Sequence, residues 1–153
     1  QDESLYDPLI QIASIYAAQG NPIAVDYYKK AIADFPENHG TYYDLAMYLQ
    51  DNGEPEEALS YYDTLIAKYP DNSQFVYNKG YVYLVYLSEY DKALDCFDKA
   101  LELNPTYVDA LYNKGRTLEQ MGRYKDAKSI YLQILRNVPN YQMAIDAIHR
   151  MGD

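Results

Sequence analysis

Four prolines, Pro36, Pro70, Pro105 and Pro139, recur along the chain at intervals of 34, 35 and 34 residues. Other residues keep the same interval. An alanine stands twelve residues before each proline (Ala24, Ala58, Ala93, Ala127), and an aromatic stands four residues after each alanine (Tyr28, Tyr62, Phe97, Tyr131). Upstream come the small residues Ala13, Ala46, Gly80 and Gly115. In three units a glycine follows seven residues later, at Gly20, Gly53 and Gly122. A period near 34 marks a repeat array, whose units bury their apolar faces against one another rather than in one central core.

One unit shows the local physics. Between Val108 and Met121, Leu111, Leu118 and Met121 fall at helical spacing. Gly122 then supplies a left-handed stop. A second amphipathic run from Tyr124 to Asn137 carries Ala127, Tyr131, Ile134 and Leu135 as its stripe, and Pro139 keeps that helix from continuing. The unit is helix, short turn, helix. Gly115 and Ala127 are the points of close helix approach, and Tyr131 fills the space beside them. Asp7-Pro8, Asn21-Pro22 and Glu54-Pro55 each place proline at a first helical position, where its missing N–H costs nothing. Asp7 and Asn21 are good caps, and Glu54 is a poorer one.

These residues resemble the tetratricopeptide repeat (TPR) family, whose pattern runs from a large residue through a Leu-Gly pair, a Tyr, an Ala and an aromatic to a closing Pro. The fourth unit shows Leu111, Lys114-Gly115, Leu118, Gly122, Tyr124, Ala127, Tyr131 and Pro139. The third shows Val76, Lys79-Gly80, Tyr83, Tyr90, Ala93, Phe97, Ala100 and Pro105. The second shows Tyr42, Leu45-Ala46, Leu49, Gly53, Ala58, Tyr62 and Pro70. The first shows Leu9, Ile12-Ala13, Tyr16, Gly20, Ala24, Tyr28, Ala31 and Pro36. The resemblance implies an all-α fold: an α-solenoid of four repeats (5–36, 37–70, 71–105, 106–139) within one domain, 1–153. A capping helix at 141–151 brings the total to about nine helices, wound as a right-handed superhelix.

Departures from the pattern carry expectations of their own. The first unit is one residue short between Gly20 and Ala24, so its turn is tight. The third is one residue long between Tyr83 and Tyr90 and lacks the glycine, so its first helix runs on or bulges through Leu84-Val85-Tyr86-Leu87. Leu65 and Ile134 stand where Ala31 and Ala100 stand in the other units, so helix packing differs between units. After Pro139, Met143, Ala144, Ala147 and Ile148 form an apolar stripe. A helix here either caps the array or opens a fifth unit.

In the TPR family the first helices line a concave groove. The residues expected to face it are Tyr43, Tyr77 and Tyr112 in one ladder, and Asp44, Asn78 and Asn113 in the next. Met47, Tyr81, Leu84 and Arg116 extend the face by one turn. A carboxamide both donates and accepts, and can hold a peptide backbone without reading its sequence; tyrosines add rigid contact area. The expected ligand is a protein or an extended or helical peptide. The lysines of the family's C-terminal-carboxylate clamp are absent and Asp44 would repel a carboxylate, so that clamp is not expected.

Composition narrows the function classes. The net charge of −10 argues against a nucleic-acid surface, which needs cationic neutralisation. Residues 1–72 hold 13 acids and 3 bases while residues 73–153 balance at 10 and 10; the imbalance reads first as a solvated acidic surface that aids solubility, and alternatively as a polarised surface that steers a basic partner segment to the N-terminal end. No apolar run approaches membrane-helix length. The opening Gln1-Asp2-Glu3-Ser4 is no uncleaved secretory signal, and the missing initiator Met fits either a trimmed chain or a processed export product. Cys96, His39 and His149 form no metal or catalytic set and there is no phosphate-binding glycine loop, so neither enzyme activity nor a cofactor is expected. The leading expectation is a non-catalytic interaction scaffold. The alternatives are a structural module that self-associates through the array ends, near Tyr6, Tyr141 and Met143, and a chaperone-like holder of a secreted client.

Overall fold

A computed structural model describes residues 8–152 of the chain. Among them are nine α-helices and no strand: α1 (Pro8–Ala18), α2 (Ile23–Asp34), α3 (His39–Asp51), α4 (Pro55–Lys68), α5 (Ser73–Val82), α6 (Tyr90–Leu103), α7 (Val108–Gln120), α8 (Tyr124–Asn137) and α9 (Gln142–Met151). A π-helical turn, Tyr83–Leu87, extends α5. The expected Asp7 cap and Tyr6 lie outside the described residues.

The helices form two compact units, one ending at Pro70 and one beginning at Asp71. In the first, α1 pairs with α2 and α3 with α4, and α2 packs on α3. In the second, α5 pairs with α6 and α7 with α8, α6 packs on α7, and α9 packs on α8. The expected four helical hairpins and closing helix are therefore all present.

The hairpins close where a small residue faces an aromatic. A Cβ at Gly115 would lie 2.5 Å from Cε1 and 2.7 Å from Cζ of Tyr131; one at Gly80 would lie 2.9 Å from Cε1 of Phe97. Ala13 and Ala46, wholly buried, occupy the same register in the first unit and do fit their methyl groups. Two turns along the second helices, Ala31, Leu65, Ala100 and Ile134 are all buried to within about 1% despite their different sizes. Burial of Leu65 or Ile134 contributes about 2 kcal/mol each.

Turn chemistry follows the glycine pattern. Gly20, Gly53 and Gly122 have φ of +63°, +93° and +73°, and no atom lies within 4 Å of where a Cβ would stand, so conformation alone demands glycine there. The next residue donates back to the carbonyl five positions earlier: Asn21 to Tyr16 (2.9 Å), Glu54 to Leu49 (3.0 Å) and Arg123 to Leu118 (2.8 Å). The glycine-free third turn works differently. Ser88 takes the left-handed conformation (φ 55°), and Glu89 donates to Tyr83 O, six positions back, at 2.9 Å. The extra residue is absorbed as the π turn, which is the bulge expected through Leu84–Leu87. Asn21 Oδ1 accepts the Ile23 N–H at 3.1 Å, as expected of a cap, whereas Glu54 makes no side-chain cap bond. Asn72 caps α5 through the N–H groups of Gln74 and Phe75.

Helix α9 covers the open edge of the last hairpin. Ala144 and Ala147 are buried with Leu111, Leu118, Tyr131 and Ile134, and Ile148 packs against that cluster. Met143, expected in the stripe, is instead 47% exposed and lies outside that cluster. Gly115→Ala should lower stability by about 1–3 kcal/mol through overpacking against Tyr131, outweighing the helix-propensity gain of about 1 kcal/mol. A reduced urea midpoint with an unchanged m-value is the expected reading.

Candidate peptide-binding faces

The ladder tyrosines are half-buried, and each leans on the aromatic of its own hairpin. Ring centroids lie 6.5 Å apart for Tyr43–Tyr62, 5.8 Å for Tyr77–Phe97 and 5.8 Å for Tyr112–Tyr131. Tyr77 also meets Tyr107 at 4.9 Å and Tyr112 meets Tyr141 at 5.8 Å, so in the second unit each ladder ring bridges to the start of the next first helix. Such edge and tilted pairs add about 0.5–1.5 kcal/mol each beyond area burial. The ladder tyrosines thus contribute to packing within each unit.

The second ladder is not uniform. Asp44 is exposed at its edge, Asn78 is half-buried, and Asn113 is only 5% exposed. Asn113 is already engaged: its Nδ2 donates to the Tyr77 hydroxyl oxygen at 2.9 Å, and its Oδ1 accepts from Arg116 Nη1 at 3.0 Å. Expected as an open backbone grip, it instead ties α5 to α7. Burial first, then the charge of Asp109, pushes the Tyr77 pKa well above the ordinary tyrosine range. Although Asp44 as a whole is exposed, partial desolvation of its carboxylate raises the carboxyl; burial first, with the Asp44 charge a smaller contribution, raises the Tyr28 hydroxyl.

Leu84 departs from expectation. It is 5% exposed and belongs to the core with Ala93 and Phe97, so it offers no contact surface. The reason lies four residues beyond the small residue of the first helix in the second, third and fourth repeats. That position meets the tip of the hairpin aromatic. Gln50 occupies it in the second repeat and accepts from the Tyr62 hydroxyl at 2.8 Å. Glu119 occupies it in the fourth and accepts from the Tyr131 hydroxyl. In the third the aromatic is Phe97, with no hydroxyl, and the matching residue is apolar. In these three repeats the paired choice of Phe with Leu and Tyr with Gln or Glu is a sequence signal for this contact; in the first repeat Ala17 holds the position and the Tyr28 hydroxyl lies 3.5 Å from Ser14 Oγ instead. Met47, also half-buried, takes a second share of the Tyr62 hydroxyl through Sδ at 3.2 Å.

Tyr81 and Arg116, one residue past the small positions, are half-buried on the second unit's face beside Tyr77, with Tyr77–Tyr81 rings 6.3 Å apart. A separate cleft of about 320 Å³ lies between α6, α7 and α8. Its charges are internally matched, Lys114 with Asp98 at 2.5 Å and Arg123 with Asp126 at 2.7 Å. Among the described residues no three His, Cys, Asp or Glu side chains converge as metal ligands, and no helix is long and apolar enough to cross a membrane.

Helical hairpins at this period define a solenoid repeat, and the comparisons agree on its class. Three family models described as tetratricopeptide repeat match residues 43–85, 76–107 and 96–129. An uncharacterized protein of Methanocaldococcus jannaschii is 39% identical over 61 residues, 40% of this chain and 70% of that one. The photosystem I assembly protein Ycf3 of Acaryochloris marina is 37% identical over 84 residues, 53% of this chain; the match spans only 50% of that relative's length. The crystal structure of YrrB, described as a TPR protein with an unusual peptide-binding site, has the same fold: TM-score 0.79 at 22% identity, over 95% of this chain and 75% of that one. The chain belongs to the tetratricopeptide repeat family, and its repeats are of the kind that generally serve as protein-interaction scaffolds.

Phe97→Tyr should destabilise the protein by about 1–3 kcal/mol, since a buried hydroxyl would face Leu84 without an acceptor. Adding Leu84→Gln should recover much of that loss, a coupling that a double-mutant cycle on urea midpoints reads directly. Asp44→Asn tests the raised carboxyl. A folded-state pKa above the unfolded value of about 3.9 means the wild type loses stability as pH rises through the folded pKa. The variant should therefore melt higher than wild type near pH 7, with the difference vanishing below about pH 4.

Proposed function

We propose that the chain is a non-catalytic adaptor that holds an extended or helical peptide segment of a partner protein against the first-helix faces of its repeats. The observation that carries this reading is the Tyr77–Asn113–Arg116 chain, which joins α5 to α7. It holds a polar, aromatic surface in place before any ligand arrives, and a preorganised surface loses less entropy on binding. The peptide-binding description of YrrB supports the same use of the fold. The acid excess of residues 1–72 favours a basic stretch of the partner at that end.

Selection from a random peptide library displayed on phage tests the reading. Enriched peptides, remade synthetically, should lose at least about tenfold in affinity against Tyr81→Ala, the expected loss for a contact worth about 1.4 kcal/mol. They should bind Leu132→Ala normally, because Leu132 lies exposed on the second helix α8. No enrichment, or binding that depends on Leu132 and not on Tyr81, would refute it.

A further inference from the structure

We infer that Arg116 receives an aspartate or glutamate side chain from within the bound segment, while the Tyr77 hydroxyl donates to a backbone carbonyl beside it. This deepens the peptide-binding reading and rests on it.

The inference comes from the direction of the hydrogen bonds. A guanidinium can only donate, so the end of the Asn113 carboxamide facing Arg116 must be its carbonyl. Its NH₂ end then faces Tyr77 and donates to the phenol oxygen at 2.9 Å. With its oxygen serving as acceptor there, Tyr77 keeps its own O–H as a donor. Arg116 uses Nη1 on Asn113, and no ion pair to it is present among the described residues. Both ends of the buried amide are engaged, so the groups left over, one phenol O–H and the remaining guanidinium N–H groups, are all donors. Such a surface is complementary to an acceptor, and the planar fork of arginine suits a carboxylate best.

Charge places the acceptor. Lys114, Arg123 and Arg150 in the same unit each already meet a carboxylate, on Asp98, Asp126 and Glu119. Arg116 is half-buried yet held only by a neutral amide, a state that an incoming carboxylate would stabilise. The acid whose charge acts on Tyr77 is Asp109, seven residues before Arg116 on α7 and so about 10 Å along the helix from it. The α7 face is negative at that end and positive at Arg116, which sets where along the segment its acid must fall. The chemistry is that of an internal side chain, and the recognition does not require a chain terminus.

The test uses the full chain and the same displayed library, whose peptides are fused at their C-termini and carry no free terminal carboxylate. Wild-type protein should enrich peptides with Asp or Glu at one fixed position, a result that depends on no variant folding. Replacing that Glu by Gln in a synthetic peptide should weaken binding to wild type by about tenfold or more, and leave binding to Arg116→Met nearly unchanged. Selection on Arg116→Glu should shift the same position to Lys or Arg. Enriched peptides that need Tyr81 but show no acidic position, or an equal Glu-to-Gln loss in wild type and Arg116→Met, would overturn this inference and leave the adaptor reading standing. Failure to enrich any Tyr81-dependent peptide would remove both.

Discussion

The contact between a small residue on each first helix and an aromatic on each second helix governs the rest of this structure. At Gly115 the Tyr131 ring occupies the space a methyl group would need, and at Gly80 the Phe97 ring does the same. Because that contact fixes the ring, it also fixes where its para position ends. In the last three repeats the tip falls one turn further along the first helix, and the residue there suits it: Gln50 for Tyr62, Glu119 for Tyr131 and Leu84 for Phe97. A hydroxyl buried without its acceptor would forfeit more than the ring's packing variation, so the two positions are coupled through the core.

The same coupling reaches the closing helix. Glu119, 13% exposed at its side chain, accepts both the Tyr131 hydroxyl and the Arg150 guanidinium, the latter at 3.0 Å and 3.2 Å. One carboxylate therefore satisfies the aromatic inside the last hairpin and secures α9 on top of it. Lys128 adds a bond to the Gly152 carbonyl at 3.1 Å. Burial and this hydrogen bond to Glu119 together push the Tyr131 pKa far above the ordinary tyrosine range, which keeps the hydroxyl a donor at any physiological pH.

The faces of the two units present different chemistry although they share one repeat. The first carries Asp44, Tyr43 and Met47, with an acidic surround. The second carries Tyr77, Tyr81 and Arg116, organised by a buried asparagine. Repetition supplies the scaffold, while the departures from it give the two units their different surfaces.

The period, the helix pairs, the turns and the closing helix were all legible in the sequence, because each is set by local spacing: small residue, glycine, alanine, aromatic, proline. Even the bulge after Tyr83 could be anticipated from one surplus residue. The fate of individual side chains was not. Spacing placed Leu84 and Asn113 on the outward face, but whether a residue at a face's edge is open or engaged depends on a neighbour 13 residues away in one case and 36 in the other, Phe97 for Leu84 and Tyr77 for Asn113. Helical periodicity reports direction around one axis and nothing about what a second helix brings to meet it. Only the packed hairpins decided that Leu84 is core, and that Asn113 is a tie held between Tyr77 and Arg116.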